Sequence, residues 1–196
     1  MTSVTHTSSD PIVAIDQPPV WAWPLASLLG FPIGGYAANL IVGPVDAPGP
    51  AIAGGLIAGA VIGAAQWLAI RRFVPWIWIA ATSVGMGIGL AIGAAVVGYG
   101  IGREELMLMG AVTGAAVGAL QALLMKRAGL AYSWWWAVLN PPTWALAWLI
   151  TTYVISRNVK EQFTNFGASG TLLYALGTAL LLRRMLARRE PRVELP

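Results

Sequence analysis

The sequence predicts an all-α integral membrane protein, with six transmembrane helices built as three parallel two-helix repeats that close into a pseudo-threefold bundle. Three observations predict it. The 196 residues are 57% hydrophobic and only 10% charged, with a mean hydropathy of +0.69, whereas a soluble domain carries about 25% charged residues. Apolar stretches of membrane-spanning length alternate with short polar or turn-forming breaks. Finally, the chain repeats itself at a fixed offset of 55 positions.

The elements follow in order. Residues 1–19 form a polar tail with Asp10, Asp16 and the single histidine, His6, but no Lys or Arg. A signal peptide opens on positive charge, so no cleavage is expected. The transmembrane domain covers 20–186, with spans expected at 20–41, 51–70, 75–97, 106–125, 133–155 and 167–182. Gly43 to Pro50 is a turn-rich break. Arg71-Arg72 followed by Pro75 ends one span and starts the next. Arg103-Glu104-Glu105, Lys126-Arg127 and the charged stretch from Arg157 to Glu161 mark the remaining breaks. Glu104 and Glu105 suit a helix start, where negative charge meets the positive end of the helix dipole. A basic tail, 187–196, ends the chain. A β-barrel is excluded because the apolar runs are continuous and do not alternate.

Charge sets orientation. Arg71, Arg72, Lys126, Arg127, Arg183, Arg184, Arg188, Arg189 and Arg192 fall on one side, and Arg103, Arg157 and Lys160 on the other. The positive-inside rule places the first group, and with it both termini, in the cytoplasm of a plasma (inner) membrane. The basic pairs are topology signals and also candidates for anionic-lipid contact. The lipid bilayer is the expected partner, together with a homo-oligomer or membrane-complex partner. Nucleic acid is not expected, because the charge is arranged for orientation.

The repeat pairs Gly55, Gly59, Gly63, Gln66, Arg71 and Arg72 with Gly110, Gly114, Gly118, Gln121, Lys126 and Arg127. Trp21, Trp23, Ser27, Gly30 and Gly34 pair with Trp76, Trp78, Thr82, Gly85 and Gly89, and Ala38 pairs with Gly93. In a third copy, Arg183 and Arg184 follow Lys126 and Arg127 by 57, Thr178 takes the glutamine position and Gly167 the start of the stripe. Repeats are thus expected at 21–72, 76–127 and 131–184. Glycines four apart share one helix face and let backbones approach closely in lipid. Gly55/Gly59/Gly63, Gly85/Gly89/Gly93 and Gly110/Gly114/Gly118 are expected helix-packing zippers. At a 55-residue offset, Asn140, Trp144 and Trp148 replace the glycines of the second unit. That predicts either splayed helices there or tryptophans turned to lipid or a partner.

Candidate ligand or pore residues are Gln66, Gln121, Asn140, Trp144 and Trp148. The glutamines share the zipper face and point inward, either lining a solute path or bonding between helices. Asn140 precedes Pro141-Pro142, which removes backbone donors. Its amide either coordinates a solute or satisfies the freed carbonyls. Trp144 and Trp148 either fill space or form a ligand or pigment platform. The remaining tryptophans at the starts of odd helices read as an interfacial belt. Asn39 and Asn165 lie near the membrane surface. With no cysteine and one histidine, no catalytic residue, metal site or cofactor is expected.

The run Gly59 to Arg72, with its glycines, Gln66-Trp67-Leu68 and Arg71-Arg72, resembles the glycine-zipper repeat of an uncharacterised family of small bacterial multi-spanning membrane proteins. Glu161 to Gly170 is similar to the segment before their last helix. The resemblance implies a membrane class and carries no activity. The expected function is that of a non-enzymatic, self-associating or partner-binding structural subunit. The alternatives are a small-solute transporter or channel lined by Gln and Asn, or a lipid or pigment binder.

Overall fold

The computed structural model describes residues 21–154 and 170–188. Six helices occupy them: α1 (Ala22–Val42), α2 (Pro48–Ile70), α3 (Ile77–Val96), α4 (Arg103–Arg127), α5 (Trp134–Val154) and α6 (Gly170–Ala187). The helices α1 to α4 are long and apolar enough to cross a membrane. Expectations placed on the two tails, on Arg157 to Lys160, and on Asn165 and Gly167 lie outside the described residues.

Local chemistry accounts for the ends. Pro48 opens α2 in its first turn, where a missing N–H costs nothing. The helix α4 starts with Glu104 and Glu105 and finishes with Lys126 and Arg127, each charge complementing the helix dipole. Gly129, at φ +76°, turns the chain after α4: its N–H donates to the Lys126 carbonyl and that of Leu130 to the Met125 carbonyl. These two bonds form a Schellman cap, which satisfies carbonyls the helix leaves open.

Each helix packs on its sequence neighbours, and α1 also packs on α6, so the six close into a ring. Helices on opposite sides of the ring make no backbone approach; their side chains meet at its centre. The two seams of α6, with α5 and with α1, are the thinnest among the described residues. Outward faces carry Leu25, Leu29, Ile33 and Leu40 on α1 and Val84, Ile88 and Ile92 on α3, all exposed. Such all-round apolarity is what a helix in lipid requires.

Glycine faces set the close approaches. A Cβ added to Gly59 would lie 2.7 Å from the Ser83 Cα and from the Thr82 carbonyl oxygen of α3. One added to Gly89 would lie 2.7 Å from the Thr113 Cα of α4. The third approach differs from expectation. Gly110, Gly114 and Gly118 of α4 receive Trp148, Trp144 and Asn140 of α5, at added-Cβ distances of 2.7, 2.7 and 2.6 Å. Trp144 and Trp148 are buried, at 2% and 6% exposure. They neither splay the helices nor turn to lipid, because glycine on the facing helix supplies the room that α5 itself does not.

The proline pair also behaves differently. The helix α5 runs from Trp134 to Val154 with Pro141 and Pro142 inside it. Prolines there leave the Ala137 and Val138 carbonyls without their usual donors. The Asn140 side chain does not serve them: its Nδ2 donates to the Trp136 carbonyl at 2.7 Å.

Candidate functional site

Every helix contributes a buried polar side chain to one level of the ring. These are Ser27 on α1, Gln66 on α2, Thr82 on α3, Gln121 on α4, Asn140 on α5 and Thr178 on α6, all buried. Thr82 stands five residues into α3, roughly 7 Å from its start at about 1.5 Å per residue. The layer therefore lies toward the end that carries Arg71, Arg72, Lys126, Arg127, Arg183 and Arg184.

Gln121 is the hub. Its Nε2 donates to Gln66 Oε1 at 3.2 Å and to Thr82 Oγ1 at 2.9 Å. Its Oε1 accepts from Trp136 Nε1 at 2.8 Å. Thr82 in turn donates to the Trp78 carbonyl at 2.8 Å. On the far side of the ring, Trp23 Nε1 donates to Thr178 Oγ1 at 2.9 Å, joining α1 to α6. Asn140 continues the network: Trp144 Nε1 donates to its Oδ1 at 3.1 Å. Two buried groups beside the layer, Ser27 Oγ and Trp78 Nε1, have no hydrogen-bond partner.

Aromatic plates close the layer on both sides. Toward the basic end, Trp23, Trp78 and Trp136 meet edge to face at 5.4 to 6.4 Å between ring centroids. These three come from α1, α3 and α5, so they span the ring interior. Toward the opposite end, Phe31, Trp144 and Tyr174 contact one another at 5.2 to 5.8 Å. Edge-to-face geometry suits the ring quadrupoles. A cavity of about 20 Å³, room for about one water, lies beside this second plate against Trp148, Thr151 and Thr171.

Sequence reasoning brought Gln66, Gln121 and Asn140 inward, and all three are buried at one level: Gln121 bonds to Gln66, while Asn140 bonds within α5 to Trp136 and Trp144. It missed two things. Trp21, Trp76, Trp134 and Trp135 are exposed, whereas Trp23, Trp78 and Trp136 are core, which corrects the belt reading for these three. Residues two apart on a helix point about 200° away from each other, which separates Trp21 from Trp23 and Trp76 from Trp78. The second miss is the register of α5. Asn140 does not take the place of Gly85. An added Cβ on Gly63 meets the Thr82 Cβ at 2.9 Å, and one on Gly118 meets the Asn140 Cβ at 2.6 Å. Asn140 thus takes the place of Thr82, 58 positions earlier. The signal was present as Trp, small polar and bulky apolar residues spaced by four: Trp23-Ser27-Phe31, Trp78-Thr82-Met86 and Trp136-Asn140-Trp144.

Comparison with protein-family models, with curated proteins and with solved structures gives no match to this chain. A dense, mutually bonded amide and hydroxyl layer fixes helix register and partner choice within a bundle. Among the described residues, no group of three His, Asp or Glu side chains gathers.

Proposed function

We propose that the chain is a non-enzymatic, six-span protein of a bacterial inner membrane that serves as a structural subunit. In this reading three glycine-zippered hairpins are related by a pseudo-threefold axis, and both termini are cytoplasmic. The helices α5 and α6 join α1 to α4 as spans. The single observation that carries the proposal is the polar layer. Gln66, Thr82 and Gln121 are bonded to one another, and Asn140 to Trp136 and Trp144 of its own helix, between two aromatic plates, inside a ring one chain closes alone. Interhelical bonds of this kind hold a bundle together and line no path. The zipper glycines are spent within the chain, so contacts with a second copy or a partner use the outward apolar faces.

Native mass spectrometry of protein extracted gently from its own membrane tests the reading. A protein-sized mass added to the 20.6 kDa chain is expected. A bare single chain contradicts it.

One observation favours a second reading, a small-solute transporter. Ser27 Oγ and Trp78 Nε1 are buried polar groups with unmet hydrogen-bonding capacity at the layer. Native proteins leave few such groups. A polar solute or water held there in another arrangement of the helices satisfies them, and a discrete small added mass supports this alternative.

A further inference from the structure

The most unequal feature of the surface is charge. Seven basic residues, Arg71, Arg72, Lys126, Arg127, Arg183, Arg184 and Arg188, stand at one end of the described ring. The acidic residues of the described chain, Asp46, Glu104 and Glu105, all belong to the opposite end.

Two grooves open into this end. One, of about 550 Å³, lies between the start of α3 and the end of α4, with Arg71 and Arg127 over Ile77 and Leu124. The other, of about 430 Å³, lies between the start of α5 and the end of α6, with Arg184 and Arg188 over Trp135 and Leu181. The two correspond in part, although Arg71 and Arg188 have no counterpart in the other groove. Trp135 follows Ile77 by 58, the offset that also relates Asn140 to Thr82. Leu181 and Arg184 follow Leu124 and Arg127 by 57, the offset that relates Thr178 to Gln121. Arg188 is held by a ring contact, its guanidinium 5.3 Å from the centroid of Tyr132.

We propose that both grooves bind anionic phospholipid, one molecule each, with the phosphate between the arginines and an acyl chain along the apolar floor. The occupant is argued from charge and placement. Guanidinium pairs match phosphate oxygens. Basic pockets between helices at a membrane surface collect acidic headgroups. An apolar wall continuous with the lipid-facing helix surface suits a chain-bearing ligand and gives inorganic phosphate no advantage. The inference rests on the reading that this end of the ring lies at a bilayer surface.

The test is native mass spectrometry of the full chain released from nanodiscs of equal phosphatidylglycerol and phosphatidylcholine. Retention of up to two phosphatidylglycerol molecules per chain is expected, in preference to phosphatidylcholine. Arg127→Gln should weaken one site and the pair Arg184→Gln/Arg188→Gln the other, lowering occupancy about fivefold per arginine removed. Arg184→Lys/Arg188→Lys keeps the orientation signal but not the bidentate fork, so it should retain less lipid than the native chain, and a loss in this variant comes from the site and not from mis-insertion. Ten-millimolar inorganic phosphate should leave retention unchanged. Equal retention of the two lipids, retention indifferent to the variants, or displacement by phosphate overturns the proposal. If the chain enters nanodiscs yet shows no preference, the grooves fail while the membrane reading stands. If it does not enter them, that reading fails first.

Discussion

Gln121 and Gln66 are the same residue type 55 positions apart, yet they are not equivalent in the ring. Gln121 makes three side-chain bonds, to Gln66, Thr82 and Trp136, while Gln66 contributes one acceptor to this set. Interhelical hydrogen bonds in membranes average about 0.6 kcal/mol each. Gln121→Leu should therefore cost about 2 kcal/mol, and Gln66→Leu about 0.6 kcal/mol. Reversible unfolding in bicelles measures both, and equal costs would refute the hub. Most of this site was legible in the sequence. An amide inside an apolar run, sharing a face with glycines, has to point at protein. Its particular partners were not legible, because Trp136 reaches Gln121 only in the three-residue-shifted register of α5, and the 55-residue offset conceals that shift.

At the scale of elements, glycine has two different roles, and substitution separates them. Gly59 and Gly118 stand where an added Cβ meets neighbouring heavy atoms at 2.7 and 2.6 Å, whereas Gly177 faces open space. Gly59→Ala and Gly118→Ala should destabilise by about 1–3 kcal/mol through overpacking. Gly177→Ala should be neutral or stabilise by up to about 1 kcal/mol, the difference in helix propensity. The same unfolding assay reads all three, and a tolerated Gly118→Ala would contradict the α4–α5 packing. The glycine faces were visible from their spacing. Which helix each face receives was not, since a stripe of small residues states only that something comes close. The α4 stripe takes the large side chains of α5, so small and large residues sit on facing helices and not in the same stripe.

For the whole molecule, the decisive property is closure. Five of the six seams join consecutive helices; the sixth, between α1 and α6, joins the two ends of the domain and carries the Trp23–Thr178 bond. Thr178→Val removes that acceptor, so it should loosen α6 first. Hydrogen exchange is expected to rise in α6 and α1 while α3 and α4 stay protected. Uniform loss of protection would show that the ring opens as one unit. Alternating breaks and apolar lengths made the number of helices legible. Closure was not, because it depends on the angle accumulated across five packed pairs, which no local pattern encodes.

In the structural-subunit reading, the ring and its two aromatic plates seal the polar layer from water. Ser27 lies in that layer, fully buried, with its hydroxyl unpaired. The chain has no cysteine of its own, so Ser27→Cys supplies a single thiol of nearly native size. Its reaction with a water-soluble maleimide in intact membranes is the most direct measurement, with Ile101→Cys, in the exposed loop before α4, as the accessible reference. Ser27→Cys should stay unlabelled until detergent denaturation, while Ile101→Cys should label at once. Rapid labelling of Ser27→Cys in the native membrane would mean that water reaches the layer, contradicting the sealed ring and establishing the solute path in its place.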